Sequence, residues 1–528
     1  MEKRLTKKIK ALVLGIIGIF LILIIIREVH TFRIKNLWNS VREECEQKGL
    51  SFDFSDIIPE PVPDDKNFAY VAPLKPLLEY EEDGVTPLNP EKYDEASNFL
   101  IIPADLSSSL GPKGPELYHG YDLSAVQKFF RDDGMELWSQ PVEAGEPAAD
   151  VMLAIGRVAE DMDLLAKASK QRPFYRLNVK YEVKDFDEVK DFENIIGGAS
   201  NFPQHLNAQW WFNIRCSAHL DNGNTESALA DLKMSMFLAE LYENEPNLLS
   251  QVCRLTLMRL ALNPLWEGLA KKRWNAEQLD SLQNILANIN YLEGLDKALR
   301  FERHLINQIH HYLRGLLNQD SDSFTASLAS FGVPLALTGA VGFRLFPLKW
   351  FYISPSAFIN GSQARSNELY IKYLNNTVDL KSRRIRPNAV KGFDQYFKKN
   401  ALSHPYNFIS GLFFGAGAPA VKKIGQMQNS IDQARIACAL EAYHLKEGKY
   451  PQSLAELGKE LPHDVFTGES YFYDPDSKGK YRIYGVGWNL KDDGGNVNAE
   501  NSQSGEASNN EPMDVIWQNF PVSSSDEK

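Results

Sequence analysis

An uncharged apolar run near the N-terminus, residues 11–26, constrains the fold of this chain more than any other feature of the sequence. As a helix the run extends roughly 24 Å, slightly less than the ~30 Å hydrocarbon core of a bilayer, but Lys10 and Arg27 can direct their charged groups to the two interfaces. A cleaved signal peptide is the alternative. Because a cleavage site needs small residues and this run ends in isoleucines before Arg27, we expect an uncleaved transmembrane anchor.

The charges around this run predict its orientation. Five basic residues and one acidic residue precede it, so the positive-inside rule places residues 1–10 in the cytoplasm and the chain after residue 27 on the other side of the membrane. The whole chain carries 57 Lys and Arg against 69 Asp and Glu, and the exported part is more acidic still because the tail is basic. We therefore expect no nucleic-acid partner, and repulsion from anionic lipid.

The exported part divides into regions of different composition. Residues 27–67 read as a stalk helix followed by a proline-rich connector, and residues 68–200 as irregular structure with some helices. Residues 201–424 have the pattern of α-helical hairpins. The expected breaks between these helices lie at residues 221–224, 243–247, 271–273 and 290–291. Within this region, residues 331–343 are apolar but interrupted by Pro and Gly, which favours burial or a loop beside the membrane.

The last part of the chain has a helix-then-sheet pattern. Apolar residues at helical spacing predict a helix over residues 427–446, and Gly448 provides its stop. Two aromatic runs, residues 471–473 and 481–484, flank a turn that contains Pro and Gly, which predicts a β-hairpin.

The expected fold class follows from these patterns. It is mainly α, a helical-hairpin array, with one N-terminal transmembrane helix and a small C-terminal α+β domain over residues 425–520. Residues 521–528 are expected to form a mobile tail.

The order of motifs in the C-terminal part carries a resemblance. A helix around residues 434–443 leads into Gly-Lys-Tyr-Pro at 448–451, the segment 464–468, the strand pattern 481–489 and an acidic turn at 492–495. This order resembles the soluble head of the major pseudopilin of type II secretion. It resembles more closely the C-terminal part of a group of uncharacterised, signal-anchored proteins of planctomycete and verrucomicrobial bacteria.

The resemblance implies a pseudopilin-like head in the periplasm, carried by a single-pass protein of a bacterial inner membrane. The chain departs from true pseudopilins in one respect. Their apolar helix begins with a Gly followed five residues later by an acid, which serves processing and assembly, whereas residues 10–13 here begin the helix without either. We therefore do not expect this chain to polymerise as a pilus subunit.

A calcium site is also implied by the resemblance, in the loop after the last strands of the head. The matching residues are Asp492, Asp493 and Asn496, with Asp514 standing where the family returns an acid to the site. Hard oxygen ligands that are close in sequence suit Ca²⁺, and two adjacent glycines let carbonyl groups turn inward. A solvated acidic turn is the alternative interpretation.

The four cysteines form no Cys-x-x-Cys pair, which argues against a zinc ribbon or a thioredoxin-like site. Buried thiols are the expectation, because free Cys is among the most buried residue types. If a disulfide forms in an oxidising periplasm, Cys216 and Cys253 are its best candidates.

Three histidines share one predicted helix with Glu302. His304, His310 and His311 lack a His-Glu-x-x-His spacing, so histidines of the helix surface or core are expected rather than a metal site. We also find no Gly-x-Ser-x-Gly elbow and no phosphate loop in the sequence.

The sequence therefore predicts a membrane-anchored periplasmic protein that acts in interaction or scaffolding within the cell envelope. Its partners would be envelope proteins, and the secretion resemblance suggests their setting. The alternative is a periplasmic enzyme whose active site lies in the helical region. A ligand cleft with clustered, perturbed titratable groups would favour the enzyme, and broad grooves between hairpins would favour the interaction protein.

Overall fold

The structure is a computed structural model, and it describes residues 2–81, 86–110, 120–132, 137–177, 201–319, 355–400, 406–407, 410, 417–495 and 514–520. Its longer helices are α1 (Glu2–Gln47), α2 (Pro90–Ser97), α3 (Ala104–Leu110), α4 (Leu123–Asp132), α5 (Pro147–Ile155), α6 (Ala159–Gln171), α7 (Phe202–Asp221), α8 (Thr225–Glu240), α9 (Leu248–Ala270), α10 (Ala276–Ala287), α11 (Tyr291–Gln319), α12 (Pro355–Leu369), α13 (Pro387–Asn400) and α14 (Gly417–Glu447). Its strands are β1 (Val378–Asp379), β2 (Arg384–Ile385), β3 (Phe472–Pro475), β4 (Tyr481–Gly485) and β5 (Val515–Gln518). The described chain is mainly helical with small antiparallel sheets, as the sequence predicts.

Helix α1 has two halves with different surroundings. Its apolar first half is exposed and is long and apolar enough to cross a membrane, which agrees with the sequence prediction. From residue 30 onward the same helix packs on α12 and buries Ile34, Val41 and Cys45. The exposed apolar half and the half packed on the body therefore form one continuous helix.

Helices α7 to α11 form the helical part of the body. The turns between them fall where the sequence predicts breaks, and Gly223 takes the left-handed conformation, with φ of 75°, that closes the turn between α7 and α8. Helix α7 packs on α8 and α9, and α9 packs on α11. Bulky side chains such as Trp211 and Tyr291 are fully buried between these helices. The predicted helical hairpins are thus present.

Helix α14 joins this helical part to the C-terminal sheet. It packs on α9, α10 and α11 and, on another side, on β4 and β5. It begins at Gly417, ten residues before the predicted start, because Ala420, Val421 and Ile424 continue its buried face. One apolar core extends from Val41 through α14 to Trp517. The α+β unit therefore shares its core with the helices before it.

The C-terminal sheet has the order β3-β4-β5 and is antiparallel throughout. Strands β3 and β4 form the predicted hairpin, in which Tyr473 is paired with Ile483. Along β4, buried and half-buried residues alternate, which is typical of a sheet with one covered face. Strand β5 was not predicted. It pairs Trp517 with Ile483 and places Val515 beside α14, where the Gln433 side chain donates to the Val515 carbonyl at 2.7 Å.

Candidate functional site

An open polar cleft of about 360 Å³ lies beside the sheet, between four parts of the chain. One wall is the C-terminal end of α10, and a second is the turn between β1 and β2. The third wall is the face of α14 that carries Asp432 and Arg435, and the fourth is the segment from Glu460 to Gly468. Residues from the helical part and from the α+β unit thus meet in one cleft.

An ion pair forms the floor of the cleft. Both terminal nitrogens of Arg383 donate to the Asp432 carboxylate at 2.7 Å, in the bidentate geometry that favours Arg. The Gln428 amide donates to the same carboxylate at 3.1 Å, and the Tyr471 hydroxyl donates to it at 3.4 Å. Burial raises the pKa of Asp432, and the bonds from Arg383 oppose that rise. The Asp432 charge is therefore fully engaged within the fold.

Arg435 is the cation of the cleft that remains available. It lies one turn beyond Asp432 on α14 and is half-buried. Among the residues that the structure describes, no hydrogen bond or ion pair holds its guanidinium. Glu460 and His463 line the same cleft and are exposed, and the His463 Nδ1 lies 3.0 Å from the Gly468 carbonyl oxygen. The cleft thus offers a positive and a negative group to a polar ligand.

A buried carboxylate fixes the wall that carries His463. Asp464 accepts hydrogen bonds from the Asn429 amide at 2.8 Å, from the Phe466 backbone N–H at 2.8 Å and from the Val486 backbone N–H at 3.0 Å. Asn429 belongs to α14, and Val486 directly follows β4. The segment is therefore tied to both the helix and the sheet, which makes the cleft a preformed feature of the fold.

The acidic loop lies elsewhere, at the end of the sheet that includes the start of β5. Here Asp514 accepts hydrogen bonds from the backbone N–H groups of Asp493 at 3.1 Å and Gly495 at 2.9 Å. The Asn489 amide donates to Asp493 at 2.7 Å, and the Asp492 side chain caps its own turn by accepting from the Gly494 N–H at 2.8 Å. Burial raises the pKa of Asp514, with the nearby charges of Asp493 and Asp492 adding to the rise.

The structure thus brings Asp514, which directly precedes β5, against the loop that carries Asp492 and Asp493, as the calcium hypothesis requires. It also gives two of these carboxylates backbone partners, as expected of a plain structured turn. The other Asp514 oxygen, Oδ1, is buried and has no hydrogen-bond partner within the described chain. Asn496 lies outside the described residues, and within those residues no group of three or more His, Cys, Asp or Glu side chains is arranged as a metal site.

The other candidate groups are placed as follows. His304 and His310 are buried, whereas His311 is exposed. Burial lowers the pKa of His304 to about 4 and that of His310 to about 3, so both are neutral at physiological pH. These are helix-surface and core histidines, as the sequence predicts. The four cysteines are buried free thiols, so Cys216 and Cys253 are not bridged.

Sequence reasoning did not find the cleft. The signal it contained was an acid and an arginine, Asp432 and Arg435, spaced three residues apart on a helix that also buries other polar residues, such as Gln428, Asn429 and Gln433. Their partners come from distant segments, since Arg383 is 49 residues away along the chain from Asp432. Only the packing of α14 against the β1-β2 turn brings these groups together.

Comparisons of the chain with protein-family models, with curated proteins and with solved structures found no match. The physical features of the molecule are therefore what bear on its function.

Proposed function

We propose that this protein is a membrane-anchored interaction or scaffolding protein of a bacterial envelope, with its body in the periplasm. The observation that carries this proposal is that the exposed apolar part of α1 continues, within one helix, into a segment packed on the body. A cleaved signal peptide would have to be cut from this helix. The burial of Ile34, Val41 and Cys45 instead makes the helix part of the fold, which supports a permanent anchor.

The polar cleft is the proposed docking site for a partner. Arg435 supplies an available cation, and the preformed walls cost little conformational entropy when a ligand enters. We propose that Arg435 binds a carboxylate of an envelope protein, either an acidic side chain or a C-terminus. The cleft favours binding over catalysis because Asp432, its most buried acid, is already held by Arg383 and Tyr471.

A place near a secretion assembly is part of the same proposal. Helix α14 packed on the antiparallel sheet β3-β4-β5 is the arrangement that the pseudopilin resemblance implies, and it supports this setting. The other sides of α14 are covered by α9, α10 and α11, so this head is built into a larger body.

The test is capture of partners by the full-length protein after cross-linking in native membranes. An Arg435→Glu variant reverses the charge of the cleft, and an Arg259→Glu variant serves as the matched control because Arg259 is exposed on α9, away from the cleft. We expect at least one partner to be lost with Arg435→Glu and retained with Arg259→Glu. An identical set of partners for both variants would contradict docking in the cleft.

A further inference from the structure

The end of the body nearest the apolar half of α1 is defined by His30. Its Nε2 lies 2.9 Å from the hydroxyl of Tyr406. Tyr406 packs in turn on α12, with its ring centroid 6.1 Å from that of Phe358 and its ring so close to Gly361 that a Cβ there would meet it at 2.6 Å. Among the residues that the structure describes, contact between α1 and the body therefore begins at residue 30, against the first turns of α12.

The directions of the neighbouring helices show which helix ends lie beside His30. Helix α12 runs in the same direction as α1, because Cys45 lies farther along α1 and contacts Asn367 farther along α12. Helix α11 runs the opposite way, since Arg303 donates to Asn367 whereas Arg314 donates to Asn360. The C-terminal end of α11 and the N-terminal end of α12 therefore both lie beside His30.

The C-terminal end of α13 lies there as well. Asn407, next to Tyr406, donates through its amide to the carbonyl of Asn400, the last residue of α13, at 2.9 Å. The Tyr396 hydroxyl of α13 also lies within hydrogen-bond distance of Asn407. Lys398 and Lys399, in the last turn of α13, are exposed at this end of the body.

The distance of this end from the apolar run is short. His30 follows Ile26 by four residues, which is about 6 Å along a helix. With residues 11–26 across the hydrocarbon core, His30 lies in the headgroup layer, and the elements level with it lie at the surface of the bilayer.

The charge of this end is opposite to that of the whole chain. Arg33 and Lys35 on α1 and Lys399 on α13 are exposed, and none of them has an ion-pair partner among the described residues. Arg27 and Lys398 add two more cations, each beside one exposed carboxylate, Glu28 and Asp394 respectively. The chain as a whole carries a net charge of −12. Cations in excess at the level of the headgroups attract anionic lipid.

We propose that this end of the body, which we call the basic end (Arg27, Arg33, Lys35, Lys398 and Lys399), lies flat on the membrane and binds anionic phospholipid headgroups. The proposal rests on the proposed function in one respect, because it requires α1 to span the bilayer. It revises the expectation that the acidic body is repelled by anionic lipid: the acidic remainder faces away, and the contact is made by cations. Lipid composition would then set the orientation of the cleft above the membrane.

The opposite end of the molecule supplies a control position. The Gln428 amide oxygen of α14 accepts a hydrogen bond from the backbone N–H of Tyr291, the first residue of α11, at the end of α11 far from the membrane. Helix α14 then continues to Glu447, and Tyr450 beyond it lies beside Gly479 in the β3-β4 turn. Lys478 in that turn is exposed. It therefore matches Lys399 in residue type and exposure but lies at the far end.

The experiment uses the full-length protein in nanodiscs, with a fluorophore on Lys399→Cys or Lys478→Cys. The native cysteines are buried, so the unsubstituted protein gives the labelling background. Quenching by headgroup spin-labelled lipid is measured in phosphatidylcholine discs with and without phosphatidylglycerol. We expect several-fold stronger quenching at residue 399 than at 478. We also expect phosphatidylglycerol to increase the quenching at residue 399. This increase should disappear in about 0.5 M salt, or in a protein that also carries the substitutions Arg33→Glu, Lys35→Glu and Lys398→Glu.

The outcomes separate this proposal from the one on which it rests. Equal quenching at the two positions, in a protein that resists carbonate extraction from membranes, would overturn the basic end as a membrane contact and leave the anchor intact. Strong quenching at residue 399 with no response to phosphatidylglycerol would overturn the binding of anionic headgroups. Extraction by carbonate would overturn the anchor, and the proposal with it.

Discussion

At the scale of single residues, the two arginines that flank β2, Arg383 and Arg386, form ion pairs in different surroundings. Arg383 binds Asp432, whose side chain is 3% exposed, whereas Arg386 binds Asp379 on the surface, where the two side chains are 55% and 29% exposed. Both pairs have good geometry. The difference in burial decides which pair contributes to the free energy of unfolding, because removing one partner leaves an uncompensated charge only where the other is buried.

We predict that Arg383→Met destabilises the full-length protein and that Arg386→Met changes its stability much less. Fully buried pairs lose about 3–5 kcal/mol when one partner is removed, and we expect roughly 2–4 kcal/mol here because Arg383 is 38% exposed. The measurement is unfolding by denaturant in detergent solution, followed by circular dichroism. Equal effects of the two substitutions would show that Asp432 does not depend on Arg383.

At the scale of secondary-structure elements, Glu302 connects α11 to the first turn of α9. Its carboxylate accepts the Leu248 backbone N–H at 3.1 Å, which satisfies one of the unpaired donors of a helix N-terminus. Burial raises the pKa of Glu302 to about 7, and the bond from Leu248 opposes the rise. The folded chain therefore keeps a proton at a pH where the unfolded chain has lost it.

This shift predicts a loss of stability as pH rises. The ordinary glutamate pKa is about 4.5, so between about pH 4.5 and 7 the folded state binds more protons than the unfolded state, and each rise in pH favours unfolding. The total is up to about 3 kcal/mol, at 1.36 kcal/mol per pKa unit. We expect Glu302→Gln to remove this part of the pH dependence and to stabilise the protein most at pH 8. The measurement is the melting temperature of both proteins from pH 5 to 8.

A matched control for this prediction lies on the same helix. Glu293 is exposed near the start of α11, so Glu293→Gln should leave the pH profile of the melting temperature unchanged. A Glu302→Gln profile parallel to that of the wild-type protein would mean that the Glu302 carboxyl is ionised in the fold.

The acidic loop gives a second prediction at this scale. We predict that the full-length protein binds one Ca²⁺ through Asp492, Asp493 and Asp514, because the unpartnered, buried Oδ1 of Asp514 is left for a cation. Equilibrium dialysis against radioactive calcium measures the stoichiometry. The Asp492→Ala, Asp493→Ala double variant should abolish binding, and Asp280→Ala, an exposed substitution on α10, should not. Absence of binding by the wild-type protein would leave a solvated turn stabilised by its own backbone.

Local patterns predicted some elements and missed others, for physical reasons. The β3-β4 hairpin was predictable because its aromatic strands and its turn residues are adjacent in sequence. Strand β5 was not predictable, because the four residues Val515 to Gln518 are too few to show a period-two pattern and are remote in sequence from β4. Only their pairing with β4, in which Trp517 lies opposite Ile483, makes them a strand. The cleft was missed for a related reason, since its ion pair depends on long-range packing.

At the scale of the whole molecule, α1 carries an exposed apolar run that is long enough to cross a membrane. We predict that the mature protein keeps residues 11–26, because cleavage near residue 27 would cut a helix that is buried against α12 a few residues later. Mass spectrometry of the protein purified from membranes measures this. A mature N-terminus near residue 27 or beyond would identify the apolar run as a signal peptide.

Helix α1 also limits where the body can act. A flexible tether would let a domain explore a hemisphere of tens of ångströms. Helix α1 is instead continuous from Glu2 to Gln47 and is packed on the body through Ile34, Val41 and Cys45, so no flexible linker separates its apolar run from the body. With residues 11–26 in a bilayer, the height of the cleft above the lipid is a fixed property of the protein. A partner that docks at Arg435 as proposed would then have to present its acidic group at that height, and the anchor would select partners by their geometry as well as by their chemistry.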